Sequence, residues 1–414
     1  MTRPLQLLGV KKVKVFQIGL DDFGRHGFEK LIELQKHYHK VDVELAGVCD
    51  LDIDKLQNAR KFARSQGVET EFFTSVEEIY DAAEKTGEDE KIMIYDAGPT
   101  DLHAEHIYRS LRHNFFHLAE KPPSMKREDH IKEKKLMLDN DVRFTVDFIE
   151  RESAVIQKIL ELTRNKEIKS IEAFRESTLG IQKILEPVKN SGIKGGAVLD
   201  KMCHEAYIMD LIDGDIEVKN VEKSFYMPFE RNSDSFMTIE SGKVHEVSEK
   251  VAEGQCTAQL TGSADVTLHS SWMGCSNQCK DTSTKIKEKT GHSPINTSFQ
   301  VVNDTGISDE EACFFILKGD RDLVADLLND RIFDLETGEE IEVKNLMHDK
   351  LYRALESSVN CAVGLENNNL SEEELDIFMN VIFDISEHQE DIDEFEALKK
   401  SDERIDELTV DQDI

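Results

Sequence analysis

The chain has 414 residues, more than the roughly 250 to 300 at which a single hydrophobic core stops growing, so two domains are expected. Hydrophobic residues make up 39% and charged residues 33% of it, which excludes wholesale disorder and favours folded units with a well-solvated surface. A net charge of -33 repels phosphate backbones and anionic lipid, so nucleic acid and membrane surfaces are excluded as partners.

Val13, Val15, Phe16 and Ile18 form a short apolar run that ends at Gly19, and Phe28, Leu31 and Ile32 follow at helical spacing. A second strand runs from Val41 to Val48 and ends at Asp50, with a helix over Leu56 to Ala63. A brief strand at Glu71 to Phe73, a helix from Val76 to Ala83 and a strand from Ile92 to Tyr95 come next. The pattern continues with a helix from Leu102 to Leu111, a strand through Phe115 to Leu118, a helix from Glu128 to Leu138 and a strand from Val142 to Phe148. Strands alternating with helices in this way predict a parallel, doubly wound sheet over residues 1–149.

Beyond residue 150 the rhythm changes. A helix over Ser153 to Leu162 leads to a strand near Ile168 to Arg175, and a second helix follows Gly196. Strand signals then dominate at Lys219 to Tyr226, Gln255 to Leu260, Ala264 to Trp272 and Cys313 to Lys318. They suit a large, mostly antiparallel open sheet with helices on one face, an α+β domain over 150–386. The polar stretch 276–309 reads as a long loop or insertion, and 387–414 as a solvated acidic tail.

No run approaches the 18 or so apolar residues of a membrane span, and the first residues lack a signal peptide's apolar core. A cytoplasmic location is expected. Seven cysteines without dense spacing point to thiols rather than disulfides.

Gly19-Leu20-Asp21-Asp22-Phe23-Gly24 stands where the first strand turns into the first helix. Backbone N–H groups and the positive helix end meet a dinucleotide's pyrophosphate at such a turn. Asp21 occupies the place of the second glycine, whose missing side chain normally admits the phosphates; Asp21 or Asp22 reads equally as a helix N-cap. Asp50 closes the second strand, where an acidic side chain accepts from an adenosine ribose and repels a 2′-phosphate, favouring NAD over NADP.

Two further motifs follow strands of the same sheet, Gly98-Pro99-Thr100-Asp101-Leu102-His103-Ala104-Glu105-His106 and Ala119-Glu120-Lys121-Pro122. A third, Gly195-Gly196-Ala197-Val198-Leu199-Asp200-Lys201-Met202-Cys203-His204, opens the helix of the second domain. Together they resemble the T-P-x-x-x-H-x-x-H, E-K-P and G-G-x-x-x-D-x-x-x-H signatures of the glucose-fructose oxidoreductase/inositol dehydrogenase (Gfo/Idh/MocA) family. The resemblance covers residues 11 to 215 and fades afterwards. It implies a Rossmann domain followed by an α+β substrate and oligomerisation domain, and a dehydrogenase or reductase acting on a secondary alcohol or ketone of a sugar, polyol or related molecule. It also implies a homodimer or homotetramer.

By the same resemblance, Lys121, Asp200 and His204 form the reaction site. The residue types agree with that chemistry. Asp200 and His204 are four apart and share one face of a helix, which Val198, Leu199, Met202, Ala206 and Met209 anchor by another. An imidazole titrates near neutrality and suits a general base, a carboxylate orients it, and a lysine stabilises a developing alkoxide. Cofactor contacts are assigned to Gly19, Asp21, Phe23, Gly24 and Asp50, and through the resemblance to Gly98, Pro99, His103, Glu120 and Lys121. The chain departs from the family pattern at Asp21, Gly98, Lys194 and Met202.

No metal is expected. His103, His106, His113 and His117 lack accompanying thiols, and Cys275-x-x-x-Cys279 with His269 and His292 is a loose partial set, read as strand-end and loop thiols. Trp272 reads as core or subunit contact. Two rivals to a dehydrogenase are a non-catalytic nucleotide- or sugar-binding regulator, hinted at by Asp21, and a lyase, isomerase or glycosidase that uses retained NAD.

Overall fold

A computed structural model describes residues 11–86, 90–139, 144–177, 197–214, 216–226, 252–272, 274–301, 308–344, 346, 348–366 and 372–387. The chain divides into two compact units, residues 1–152 with 346–376 and residues 153–345 with 377–414. Most of the acidic tail and the Gly195-Gly196 pair lie outside the described residues.

In the first unit, strands β1 (Lys12–Ile18), β2 (Asp42–Cys49), β3 (Glu71–Phe73), β4 (Lys91–Asp96), β5 (Phe116–Ala119) and β6 (Phe144–Val146) form one sheet in the order β3-β2-β1-β4-β5-β6. Every pairing in it is parallel. Helices α1 (Asp22–His37), α2 (Ile53–Ser65), α3 (Val76–Glu84), α4 (His103–Arg112) and α5 (Arg127–Asp139) connect the strands. Both faces of such a sheet are covered, so β1 buries Val13, Val15, Phe16 and Ile18 without strict alternation. Local capping starts the helices where the strands stop: the Asp52 side chain accepts from the amides of Asp54 and Lys55, and Ser75 accepts from Glu78.

Helix α6 (Ala154–Thr163) follows in the second unit. Its sheet has nine strands, β7 (Ile168–Ser177), β8 (Glu217–Tyr226), β9 (Ala252–Thr261), β10 (Asp265–Ser271), β11 (Ile295–Val301), β12 (Ser308–Gly319), β13 (Leu323–Asp326), β14 (Arg331–Asp334) and β15 (Glu340–Ile341). The path runs β15-β14-β13-β12-β7-β10-β9-β8, with β11 on β12. Among the described residues only β7 and β10 pair in parallel; the other pairings are antiparallel. A π-helical turn, Val198–Met202, leads into α7 (Cys203–Asp213).

Two expectations are corrected here. The stretch 276–309 is not one loop: it holds α8 (Asn277–Thr290), capped by Ser276 and ended by Gly291 in the left-handed region, and then β11. Its inward stripe is Cys279, Ser283 and Ile286, too small and too polar to register as an apolar period. Helices also cover both sheet faces rather than one. Arg175 and Ser177 of β7 bond to Glu205 and Lys201 of the α7 segment. Phe174 packs with Cys279 and Ile286 of α8, and Glu176 bonds to its cap Ser276. Alternate residues of a strand point to opposite faces, so α7 and α8 lie on opposite sides of β7.

Residues Leu346–Asp376 cluster with the first unit. Helix α9 (Lys350–Ala362) buries Leu351, Tyr352, Leu355 and Val359 in the same core as Val13, Leu31 and Phe28. Tyr38 Oη donates to Asn360 Oδ1 at 2.6 Å, and Lys30 pairs with Asp349. An amphipathic helix carries no mark of which sheet it covers. The last helix, α10 (Glu372–Ser386), places Phe378 edge-on against Tyr207 in the second unit. None of the seven cysteines forms a disulfide, and among the described residues no helix is long and apolar enough to cross a membrane.

Candidate active site

The turn after β1 is built around two glycines. Gly19 has φ +88°, and a Cβ there would stand 2.3 Å from the Ala97 carbonyl oxygen; a Cβ on Gly24 would stand 2.5 Å from the Gly19 oxygen. Only glycine fits either place. Gln17, fully buried at the end of β1, donates through Nε2 to the carbonyls of Gly19 (2.8 Å) and Gly24 (2.6 Å), tying both ends of the turn together. No motif pointed to Gln17. Asp50 accepts from the Leu20 amide at 2.7 Å through one carboxylate oxygen and from the Asp52 amide at 2.8 Å through the other, so it holds the turn as well as facing it.

Asp21 sits in extended backbone (φ −62°, ψ 176°), which suits any residue, and its side chain makes no cap hydrogen bond. It pairs instead with Lys55 of α2, 34 positions away, while its carbonyl accepts from the Arg25 amide at 2.7 Å. Nearby, Phe23, Leu51 and Ile53 expose apolar side chains, Leu51 by 81%.

Asp96, fully buried at the end of β4, organises the next two loops. It accepts from the Gly98 amide at 3.0 Å and from His106 Nδ1 at 2.8 Å, with His117 Nε2 at 3.8 Å. Burial alone would raise its carboxyl, but His106, His103 and His117 hold it well below the usual range. His103 stands between the two motifs, with Nε2 3.0 Å from the Gly98 oxygen and Nδ1 3.0 Å from the Pro122 oxygen. It ties the backbone just after Lys121 to the loop that follows β4 and carries Gly98 and Pro99.

Glu120 accepts from the buried Tyr95 hydroxyl at 2.9 Å. Asp147, buried after β6, lies beside it, and burial pushes both carboxyls above their ordinary range. Lys121, half-buried, follows directly, and the Lys121–Pro122 peptide is cis.

In the second unit, Asp200 lies in the π-helical turn rather than in regular α-helix, and Trp272 Nε1 donates to its Oδ2 at 2.8 Å. Such turns recur at functional sites because the extra residue re-aims side chains. Trp272 was expected as core or subunit contact; it is buried and also fixes Asp200. Lys201 Nζ bridges Ser177 Oγ and the Ser271 carbonyl. His204, the second residue of α7, is 8% exposed. Val198, Leu199, Met202, Ala206 and Met209 are buried as expected, but so are Cys203, Tyr207 and Ile208. The helix is enclosed on all sides, and its one buried acid toward β7, Glu205, is met by Arg175.

No protein-family model matches the sequence, and comparison with curated proteins also yields no match. Solved structures do match. UDP-N-acetylglucosamine 3-dehydrogenase GnnA from Acidithiobacillus ferrooxidans aligns over 91% of this chain and 97% of its own, at 16% identity and a TM-score of 0.59. Levoglucosan dehydrogenase, in complex with NADH and levoglucosan, covers 91% and 98% at 13% identity and a TM-score of 0.63. KijD10, a 3-ketoreductase from Actinomadura kijaniata in complex with NADP and TDP-benzene, covers 91% and 97% at 16% identity and a TM-score of 0.59. The chain has the Gfo/Idh/MocA two-domain fold.

In this Gfo/Idh/MocA fold, the Gly19 turn and the Gly98 and Lys121 loops leave the carboxyl ends of β1, β4 and β5. The strand order reverses between β1 and β4, and open parallel sheets present ligands at such a switch point. At these identities the likeness carries the fold, so the roles of individual side chains rest on their own chemistry.

Proposed function

We propose that the protein is a nicotinamide-dependent dehydrogenase or reductase acting on a secondary alcohol or ketone of a sugar, polyol or related molecule. One observation carries it: the glycine turn at the switch point, closed on Ala97 and held by Gln17, with the Leu20 amide on Asp50. A turn with no Cβ at Gly19 and Gly24 and a carboxylate at the end of β2 fits a dinucleotide, and the exposed Leu51, Ile53 and Phe23 offer apolar cover for an adenine. The three structural neighbours named above support the reading: two dehydrogenases named for UDP-N-acetylglucosamine and levoglucosan, and a 3-ketoreductase in complex with NADP.

When bound, the nicotinamide supplies the hydride acceptor or donor. His204 takes the hydroxyl proton, Lys121 stabilises the oxyanion that develops, and Asp200, anchored by Trp272, is the positioning residue for His204. A panel of polyols, sugars and hydroxy acids, followed by NADH absorbance, tests the proposal; failure of both nicotinamides to bind or react would sink it.

The cofactor is NAD(H) in preference to NADP(H), because the Asp50 carboxylate repels a 2′-phosphate. Since Asp50 also holds the Leu20 amide, Asp50→Ala is expected to weaken both cofactors while narrowing the ratio between them. Fluorescence titration gives that ratio, and tighter NADP than NAD binding in the unmodified protein would remove Asp50 from the role.

Asp21 is the residue that limits affinity. Lys55 neutralises much of its charge, and Asp21→Gly both opens the cradle and releases the ammonium toward the pyrophosphate. The expected gain in NAD affinity is roughly fivefold, equivalent to about 1 kcal/mol, and it should shrink when Lys55→Ala is added. Calorimetry showing weaker NAD binding by the folded glycine variant would mean that Asp21 assists the nucleotide.

A further inference from the structure

On the β7 face opposite α7, a carboxylate and two thiols converge inside an otherwise apolar core. Glu176 is 2% exposed, Cys275 7% and Cys279 0%, and one donor atom from each lies within 4.8 Å of the other two. Around them pack Phe174, Ile286, Ala312 and Phe314. A carboxylate costs several kcal/mol to bury in such surroundings unless it is paired or bound to a cation. Here it accepts two hydrogen bonds from Ser276, from the amide at 2.5 Å and the hydroxyl at 2.9 Å, and the Cys279 thiol hydrogen-bonds to it as well.

We propose that Glu176, Cys275 and Cys279 bind a thiophilic divalent cation of the zinc class. The spacing follows from the fold. Cys275 precedes the Ser276 cap of α8 and Cys279 lies one turn into the helix, so both sulfurs face the sheet at the position where β7 presents Glu176. A tetrahedral zinc holds sulfur at about 2.3 Å and carboxylate oxygen at about 2.0 to 2.2 Å, which places such donors less than about 4 Å apart. The observed cluster lies close to that spread. Binding displaces the two thiol protons, and two thiolates with one carboxylate make a soft, anionic donor set that prefers zinc to magnesium or calcium.

The two histidines that flank the cysteines in sequence belong elsewhere. His292 bonds to Asp326 at 2.6 Å, and His269 lies against Thr257, Gln278 and Glu172. The ligand that completes the set is Glu176, 100 positions from Ser276. A bound cation pins α8 to the sheet and is structural in this reading, separate from Asp200 and His204 on the other face of β7.

The test uses the whole chain, purified with reductant and dialysed against a weak chelator. Zinc content by mass spectrometry is expected at about one per chain in the unmodified protein, and at least tenfold lower in Cys275→Ser/Cys279→Ser, whose five other cysteines serve as the control. Glu176→Gln should weaken zinc binding at least tenfold while leaving both thiols. Cobalt(II) added to the metal-free unmodified protein should give thiolate-to-cobalt charge-transfer absorption and intense tetrahedral bands, a readout that does not depend on any variant folding. Zinc content no higher than in the double variant, a cobalt spectrum without charge transfer, or closure of the two thiols to a disulfide in place of metal uptake would each overturn the site.

Discussion

His204→Asn is expected to lower turnover by about 10² to 10⁴, the usual worth of a positioned general base and equivalent to roughly 3 to 5 kcal/mol. The fold and NAD affinity should survive. Asparagine is smaller, and the enclosure of α7 by Val198, Met202, Ala206 and Ile208 does not depend on the imidazole. Lys121→Ala should be at least as damaging, because it removes fixed positive charge from the point where the alkoxide develops. His103 holds the backbone beside Lys121 through the Pro122 carbonyl, so the loop keeps its path when the lysine side chain is lost. Steady-state kinetics on a substrate from the panel, with cofactor titration and circular dichroism as controls, decides the matter. Turnover within a few-fold of the unmodified protein in either variant would mean that the reaction groups are placed wrongly.

The second large effect is on stability. Asp96→Ala is expected to cost about 3 to 5 kcal/mol, because a buried ion pair loses one partner and the other is left uncompensated. The Gly98 amide and His106 Nδ1 both lose their acceptor. The same cluster sets a pH dependence whose sign follows from three shifts. For His106, burial lowers the imidazole but Asp96 outweighs it, so it is raised in the fold. That stabilisation is complete below the unfolded value of about 6.5 and is lost as pH rises through the folded value. His117, fully buried, is lowered by burial to about 3. It stays neutral in the fold, so stability falls as pH drops from about 6.5 toward 3. Asp96 is depressed and loses its contribution only under stronger acid.

The cluster therefore stabilises most near pH 6.5. Urea unfolding across pH should show that maximum in the unmodified protein. Asp96→Asn, which keeps an acceptor of the same shape for the Gly98 amide but no charge, should abolish the fall on the basic side. A cost below about 1 kcal/mol for Asp96→Ala, or an unchanged pH profile in Asp96→Asn, would remove Asp96 from its central place.

Much of the first unit was legible because its signals are local. A buried parallel strand is a short apolar run, a helix start is a capping residue before a periodic segment, and the Gly19 turn needs glycine for reasons that two or three neighbouring residues determine. Strand and helix order over residues 12 to 146 could thus be read along the chain, and with it the switch point that positions the Gly19, Gly98 and Lys121 loops. The α7 segment was also visible, since Asp200 and His204 sit four apart beside an apolar stripe.

What the sequence by itself determined, then, were the elements, their order and the residue types able to do chemistry. Only the tertiary structure decided which distant side chains complete them. Gln17 closes the Gly19 turn, Lys55 pairs with Asp21 from 34 positions away, Trp272 holds Asp200 from 72, and Ser276 meets Glu176 from 100. Helix α9 returns to the first unit and α8 covers a second sheet face with a stripe of Cys279, Ser283 and Ile286. Periodicity records that a residue faces inward, but it does not record what it meets there. Hydrogen-bond partners and packing faces across long sequence separations are set by register and by which surfaces remain uncovered, and those exist only once the sheets have formed.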